Sequence, residues 1–588
     1  MRRAHLLWLA LVPSCGFPKL ADVPATQIVS TSGDGQTGVV ASALATPLAV
    51  TAEDAFGNPI GGALIAFGVV KGDGTLSVDS AVTDEQGLAT TSFTLGTTAG
   101  DNEVRAVVSC SSLPGVTFFA TGIPDAAATM TALSGDGQVA PAPGAPPIPL
   151  AVKLQDRYGN GVAGVAVQFT PLPGSGTLAT ANVQSDSSGV AKTQIVSTTL
   201  GKNHFQATSQ GLAAVDFTIA GIAGFQAPAN FAAAGAQTLA AGDLNGDGSP
   251  DLAVASLGTV SVLLNTTAAN ATTPTFASHV DFAAGAGGSF VALGDLNSDG
   301  KLDIVVANRG SDTVSVFLNT TTAGATTPTL APRFDFATGM LPSSVAIADL
   351  NGDGEPDLVV PSLASSMAVF LSTTSAGATT PSFASPQTFT TGSMPDDVAI
   401  ADLDGDHVPD IVVADDDQRV TLFHNSTAAG AMIASLTAND VAAPGITGAS
   451  GGGVAIGDLN GDGMLDIAAT LPHPVDLLRN TGGTFSADSQ IAFTSSSSAC
   501  AVALADVNAD GMLDAVISDS MGGTASVWVN LTGADGIPRF PGGLELGIGA
   551  SPTTGIASVA TADFNGDGKP DFAVANNMRA SATVVLSK

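Results

Sequence analysis

A nine-residue string of oxygen donors recurs seven times in the later part of this 588-residue chain. It reads Asp-x-Asn-x-Asp-Gly-x-x-Asp, with side-chain oxygens at positions 1, 3, 5 and 9 and a backbone carbonyl at position 7. The first copy offers Asp243, Asn245, Asp247, the Ser249 carbonyl and Asp251, and the second Asp295, Asn297, Asp299, Lys301 and Asp303. The third offers Asp349, Asn351, Asp353, Glu355 and Asp357, and the fourth Asp402, Asp404, Asp406, Val408 and Asp410. The fifth has Asp458, Asn460, Asp462, Met464 and Asp466; the sixth Asp506, Asn508, Asp510, Met512 and Asp514; the seventh Asp563, Asn565, Asp567, Lys569 and Asp571. Oxygen-only sets with no thiolate or imidazole select a hard cation, and carbonyls mixed with several carboxylates suit Ca²⁺ better than Mg²⁺. Up to seven Ca²⁺ ions are expected. Position 12 of the first copy is Val254 rather than glutamate, so the string is not an EF-hand. Asp-Gly pairs also make plain hairpin turns, and sevenfold repetition of a four-ligand pattern weighs against that simpler reading. The fourth copy departs from the rest, with His407 in place of the turn glycine and Asp404 in place of asparagine.

Successive strings begin 52, 54, 53, 56, 48 and 57 residues apart. Each follows a strand-like run such as Ser344–Ala348 and precedes two more, such as Asp357–Val360 and Thr313–Leu318. A fourth run ends near glycine, as in Phe334–Gly339. Four short strands in about 50 residues, repeated seven times, predict a seven-bladed β-propeller over 223–588. The last unit stops after its third strand, and Phe225–Phe231 can supply the missing fourth and close the ring.

Ahead of the strings lies a different repeat. Ser32-Gly33-Asp34-Gly35-Gln36 recurs as Ser134–Gln138, Pro47–Val50 as Pro149–Val152, and Asp54–Asn58 as Asp156–Asn160, all offset by 102 residues. Short alternating runs broken by Gly-Asn and Asp-Gly predict antiparallel sandwiches at 25–122 and 123–222. The fold class is therefore all-β, two Ig-like β-sandwiches followed by a seven-bladed β-propeller. Gly33–Gly38 matches G-x-G-x-x-G, but no helical pattern follows it, so it is not a dinucleotide site.

Composition narrows the partners. Lys and Arg number 18 against 52 Asp and Glu, a net charge of −34, which repels nucleic acid and anionic lipid. Arg2, Arg3 and the apolar run Leu6–Val12 read as an export signal over 1–14, with 15–24 as a linker. Val12-Pro13-Ser14-Cys15 resembles the lipobox of bacterial lipoproteins, which implies lipidation of Cys15, membrane contact only through that lipid, and an outer-membrane or cell-surface location. Cys110 and Cys500 are expected to be small buried residues without a disulfide.

The motif string GDGQ, PLxV, DxxGN and the closing Phe118–Gly122 resembles invasin-type bacterial Ig-like domains, which in that family stack as a stalk. The aspartate strings resemble the VCBS and FG-GAP repeats of integrin α-subunit propellers. That resemblance implies Ca²⁺ on one face of the ring and adhesion at a surface, with an extracellular protein or glycan as ligand. No enzyme is expected. The histidines are dispersed, Gly448–Gly452 matches a nucleophile elbow without its strand and helix, and every carboxylate cluster belongs to a loop. Two alternatives stand beside the adhesin reading. One is a non-adhesive envelope scaffold or assembly factor, the other a calcium-dependent enzyme cleaving polysaccharide or phosphodiester.

Overall fold

The computed structural model describes residues 24–588 except 234, 416–418, 443–451, 471–474, 492–498, 520–523, 534–535, 541–542, 549–555 and 578. The formal nucleophile-elbow match at 448–452 therefore lies almost wholly outside the described residues, as do the N-terminal signal and Cys15.

Each N-terminal repeat is a two-sheet sandwich. In the first, Gln27–Ser32, Leu48–Glu53 and Leu88–Thr91 face a five-stranded sheet ordered Gln36–Val39, Val116–Ile123, Gly100–Val108, Leu64–Lys71, Ser80–Val82. The second repeats this order, and alternate residues of each strand meet in a core around Phe169, Phe205 and Phe217. The repeated motifs are turn hardware. Asp54 Oδ1 accepts the N–H groups of Phe56 and Asn58, and Asp156 does the same for Tyr158 and Asn160. Asn160 also joins the sandwiches, donating to Thr97 O at 2.8 Å and accepting from Ala99 N at 2.9 Å. The 102-residue offset does not hold throughout. Gly100 pairs Gly122 while Gly201 pairs Gly221, so the offset falls to 101 and then 99 in the last two strands.

Beyond residue 228 the described chain forms seven four-stranded antiparallel sheets. Their first strands are Thr238–Gly242, Gly288–Gly294, Ala346–Ala348, Pro395–Ala401, Val454–Gly457, Ala499–Ala505 and Ile556–Ala562. These neighbour one another in sequence, and the last also lies against the first, so the sheets form a closed ring. Second strands such as Asp303–Asn308 are buried at every residue because a sheet covers each face, which explains their unbroken Val, Ile and Ala rather than alternation. Fourth strands such as Phe334–Ala337 lie at the outside and alternate. Each core layer is shared by two sheets: Val260 and Val262 of the first pack with Val291, Ile304 and Phe317 of the second.

Closure uses Ala229–Ala232, which pairs antiparallel with Ser581–Val585 as the fourth strand of the seventh sheet, and Phe225 bridges to Ser587. Phe231 meets Phe276 of the first sheet edge-on at 4.8 Å, and Phe225 meets Phe572 at 5.5 Å. The division expected after residue 222 falls inside the strand Val215–Ala223, whose Ala220 and Ile222 pack on Val529 and Leu531 of the sixth sheet. The second sandwich is thus seated on the ring. One cysteine expectation is corrected here. Cys110 is exposed at a left-handed turn (φ 61°) and disulfide-bonded, while Cys500 is half-buried. Its place in a surface turn, outside the sandwich core, leaves the sulfur accessible for that bond.

Candidate metal loops

Every string forms the connection between the first and second strands of one sheet. Position 9 opens the second strand and is buried: Asp251, Asp303, Asp357 and Asp514 are all 0 % exposed. Its two oxygens are tied to backbone on both sides. Oδ2 accepts the N–H of position 2, as Leu244 to Asp251 at 2.9 Å, and Oδ1 accepts an N–H from the end of the third strand, as Asn265 to Asp251 at 2.7 Å. The same pair of bonds recurs at all seven loops, from Leu296 and Asn319 to Asp303 through to Phe564 and Ser587 to Asp571. The apolar residue at position 2 anchors the loop in the core, Leu244 being 3 % exposed.

Positions 1 and 5 fold the rest. Asp243 accepts the N–H groups of Asp247 and Gly248, and Asp247 Oδ1 accepts that of Ser249 at 2.9 Å. Position 7 thus bonds through its N–H; Ser249, Lys301, Glu355, Val408, Met464, Met512 and Lys569 all donate in this way. Two residues turn left-handed. Position 6 does so as expected, at Gly248 (φ 88°) and at His407 (φ 68°), but so does position 4, occupied by Ser298 and Ala509 in two loops.

The amide at position 3 is oriented by the next sheet. Asn245 Nδ2 donates to Ala325 O at 3.2 Å, Asn297 to Ala378 O at 2.9 Å, Asn351 to Ala431 O at 3.0 Å and Asn565 to Ala271 O at 3.0 Å. Because nitrogen is committed to those carbonyls, the oxygen is held on the loop side. In five loops the position 3 amide oxygen accepts the position 5 N–H, as Asn245 from Asp247 at 3.1 Å. Asn297 Oδ1 has no hydrogen-bond partner, although the residue is only 4 % exposed. A buried acceptor left unmade costs about 1–3 kcal/mol, and its carboxylate neighbours cannot donate to it.

Electrostatics point the same way. Burial pushes the position 9 carboxyls up, with the carboxylates of positions 5 and 1 adding to the rise: Asp514 to about 8, Asp251 and Asp303 to about 7, Asp357, Asp466 and Asp571 to about 6. Asp410 rises for the same leading reason, with His424 opposing. Oxygen donors fixed by backbone, an orphaned amide oxygen and carboxyls resisting ionisation together suit a hard divalent cation. Where bound, such a cation would be held by positions 1, 3, 5 and 9 with the position 7 carbonyl and would neutralise the loop's charge.

The fourth loop differs as the sequence indicated, and in one further way. His424 Nδ1 lies 3.2 Å from Asp404 Oδ2 and 3.2 Å from Asp410 Oδ1, where the first, second, third and seventh sheets carry leucine. Asp404 has no amide nitrogen for the neighbouring sheet, and Gly483 approaches it instead. Among the described residues, the two groups of three His, Cys, Asp or Glu side chains near enough to share an ion are both here: Asp402, Asp404, Asp410 and Asp404, Asp406, His424.

Sequence reasoning missed the asparagine ending the third strand. Asn265, Asn319, Asn425, Asn480 and Asn530 donate through Nδ2 to the position 2 carbonyl of the preceding loop, at 2.7–2.9 Å, and so stitch neighbouring sheets. A polar residue recurring after each apolar third strand was the available signal.

The raised carboxyls fix a pH dependence. In excess chelator the folded ring holds more protons than the unfolded chain between about pH 4 and 8, so its stability falls as pH rises through that window. Melting in chelator should move up by several degrees between pH 8 and pH 5, and calorimetry at fixed ionic strength checks it. A melting temperature that falls steadily on acidification would contradict these environments.

Family models place the parts. The FG-GAP-like repeat matches residues 243–306, 295–360, 402–469 and 458–517, and the FG-GAP repeat matches 556–586. The bacterial Ig-like domain (group 1) matches 34–119 and 131–220. No curated protein matches the chain. Among solved structures, the D0-D1 domain of intimin is 22% identical, covering 33% of this chain and 98% of its own, with a TM-score of 0.15. FdeC, an adhesin of Escherichia coli, is 14% identical over 53% of this chain and 96% of its own, with a TM-score of 0.27. The adhesin InvE of Yersinia pseudotuberculosis is 17% identical over 32% and 56%, with a TM-score of 0.18. Superpositions this loose transfer no activity. The chain is thus built from two group 1 bacterial Ig-like domains followed by an array of FG-GAP repeats.

Proposed function

We infer that the protein is a calcium-binding cell-surface protein in which two Ig-like domains carry a ring-shaped head that binds an extracellular protein or glycan. The observation that supports it most is the second loop, where Asn297 Oδ1 is buried without a hydrogen-bond partner while Nδ2 of the same amide lies 3.4 Å from Asp299 Oδ2. A buried oxygen acceptor left unmade in an acidic loop suits a hard cation. The Asn160 junction and the seat of the second sandwich on the sixth sheet support a stiff stalk.

Calcium removal tests the reading. Such loops, lacking a bidentate position 12 glutamate, belong with extracellular modules of Kd about 10⁻⁴–10⁻³ M. At about 10⁻⁴ M and ~1 mM free calcium, linkage gives about 1.4 kcal/mol per site, on the order of 10 kcal/mol for seven independent sites. Calorimetry should show the ring melting far lower in chelator than in millimolar calcium, with the first Ig-like domain little changed. A ring that melts at one temperature in both would reduce the loops to turns.

Export and anchoring through Cys15 form a separate part of the proposal, resting on the lipobox-like string. Cys15→Ser should release the protein from the membrane fraction or block its processing. Unchanged fractionation with an unchanged mature N-terminus would contradict it.

A further inference from the structure

At four loops the neighbouring sheet covers position 3. A connector between its third and fourth strands crosses over, and Gly324, Gly377, Gly430 or Asn270 donates its N–H to the position 3 carbonyl at 2.5–2.7 Å. The sixth loop cannot be covered in this way. The seventh sheet takes its fourth strand from Ala229–Ala232, so no such connector runs from its third strand. The second Ig-like domain stands there instead. A Cβ on Gly201 would lie 3.8 Å from Asn508 O and 3.7 Å from the Asp510 Cβ. Beside it, Lys202 Nζ is 3.8 Å from Asp510 Oδ2 and 3.5 Å from Thr532 O. Both side chains of the ion pair are largely covered, at 23% and 7% exposure. Ala220 and Ile222 complete the seat against Val529 and Leu531.

The lysine belongs to the domain that meets the ring. In the first Ig-like domain the matching residue, between the strand's opening glycine and a buried asparagine, is Asp101, against Lys202 between Gly201 and Asn203. Lys569 also approaches a loop carboxylate, Asp567 at 3.9 Å, but it sits on that loop and is 41% exposed. Lys202 is held from another domain by packing.

We propose that Lys202 is a built-in counter-cation of the sixth loop: by seating the second Ig-like domain on the ring it weakens divalent-cation binding there relative to the other loops, and cation binding at that loop loosens the seat. The inference rests on the cation reading of the loops. An ammonium about 5 Å from a doubly charged ion, even at the dielectric of water, disfavours it by about tenfold in affinity. Occupancy of this one loop would then report on, and respond to, the stance of the stalk.

Calcium binding to the full chain by equilibrium dialysis tests it, comparing wild type with Lys202→Met, which keeps the apolar stem. Lys202→Met should move one site about tenfold tighter, binding one ion more than wild type where the wild-type curve is one short. Adding Asp506→Asn, which disables the sixth loop, should abolish that gain. In wild type, saturating calcium should raise the rate at which Lys202 is acetylated. Superimposable isotherms with unchanged Lys202 reactivity would overturn the inference while leaving the loops as calcium sites, and so would a gain that survives Asp506→Asn. Absence of calcium uptake by either protein would overturn the cation reading and this inference with it.

Discussion

A buried carboxylate that must be tied to backbone on both sides organises the ring. Position 9 of each loop accepts one N–H from the loop and one from the end of the third strand, so a single aspartate fixes the relative heights of three strands. Removing its charge from water is costly, and two backbone N–H bonds offset only part of that cost, as the raised carboxyls of Asp251, Asp303 and Asp514 record. Two more carboxylates are held in the same loop because positions 1 and 5 each have orphan loop amides to satisfy. What makes the loop foldable also makes it electrostatically uncomfortable. A divalent cation would relieve the conflict.

The sheets are joined by polar stitches as well as apolar layers. The third-strand asparagine reaches back to the preceding loop at five seams. Ser372 and Ser587 stand in its place at the other two, and serine is too short to make the reach. One of those seams is the junction of the sixth and seventh sheets, where the connector is also lacking and where the second Ig-like domain is seated. The domain therefore contacts the ring at a seam that lacks the asparagine stitch. The second Ig-like domain and the ring are in direct contact here through the strand Val215–Ala223.

Much of this was legible from residue types and spacing. Seven aspartate strings at near-constant intervals gave the number of sheets, and the incomplete last unit pointed to Phe225–Phe231 as the closing strand. The turn roles of Asp54 and Asp156 followed from Asx chemistry. What escaped were features that depend on a neighbour. The orientation of Asn245 and Asn297 is decided by alanine carbonyls 80 and 81 residues away, and the meaning of Lys202 by a loop that only the seating of its domain on the ring brings near. The Ig-like register drifted because small deletions between strands leave each motif intact. Cys110 was misread because the usual burial of a free cysteine was expected of a residue that occupies a left-handed surface turn.

The central claim is that the loops are cation sites, and Asn297 is where it is most exposed to refutation. A crystal structure of the protein grown in millimolar calcium, with an anomalous difference map, should show a peak inside the second loop about 2.3–2.6 Å from Asn297 Oδ1 and oxygens of Asp295, Asp299 and Asp303. A loop with no anomalous peak, and with Asn297 Oδ1 accepting a hydrogen bond from water or protein, would contradict it.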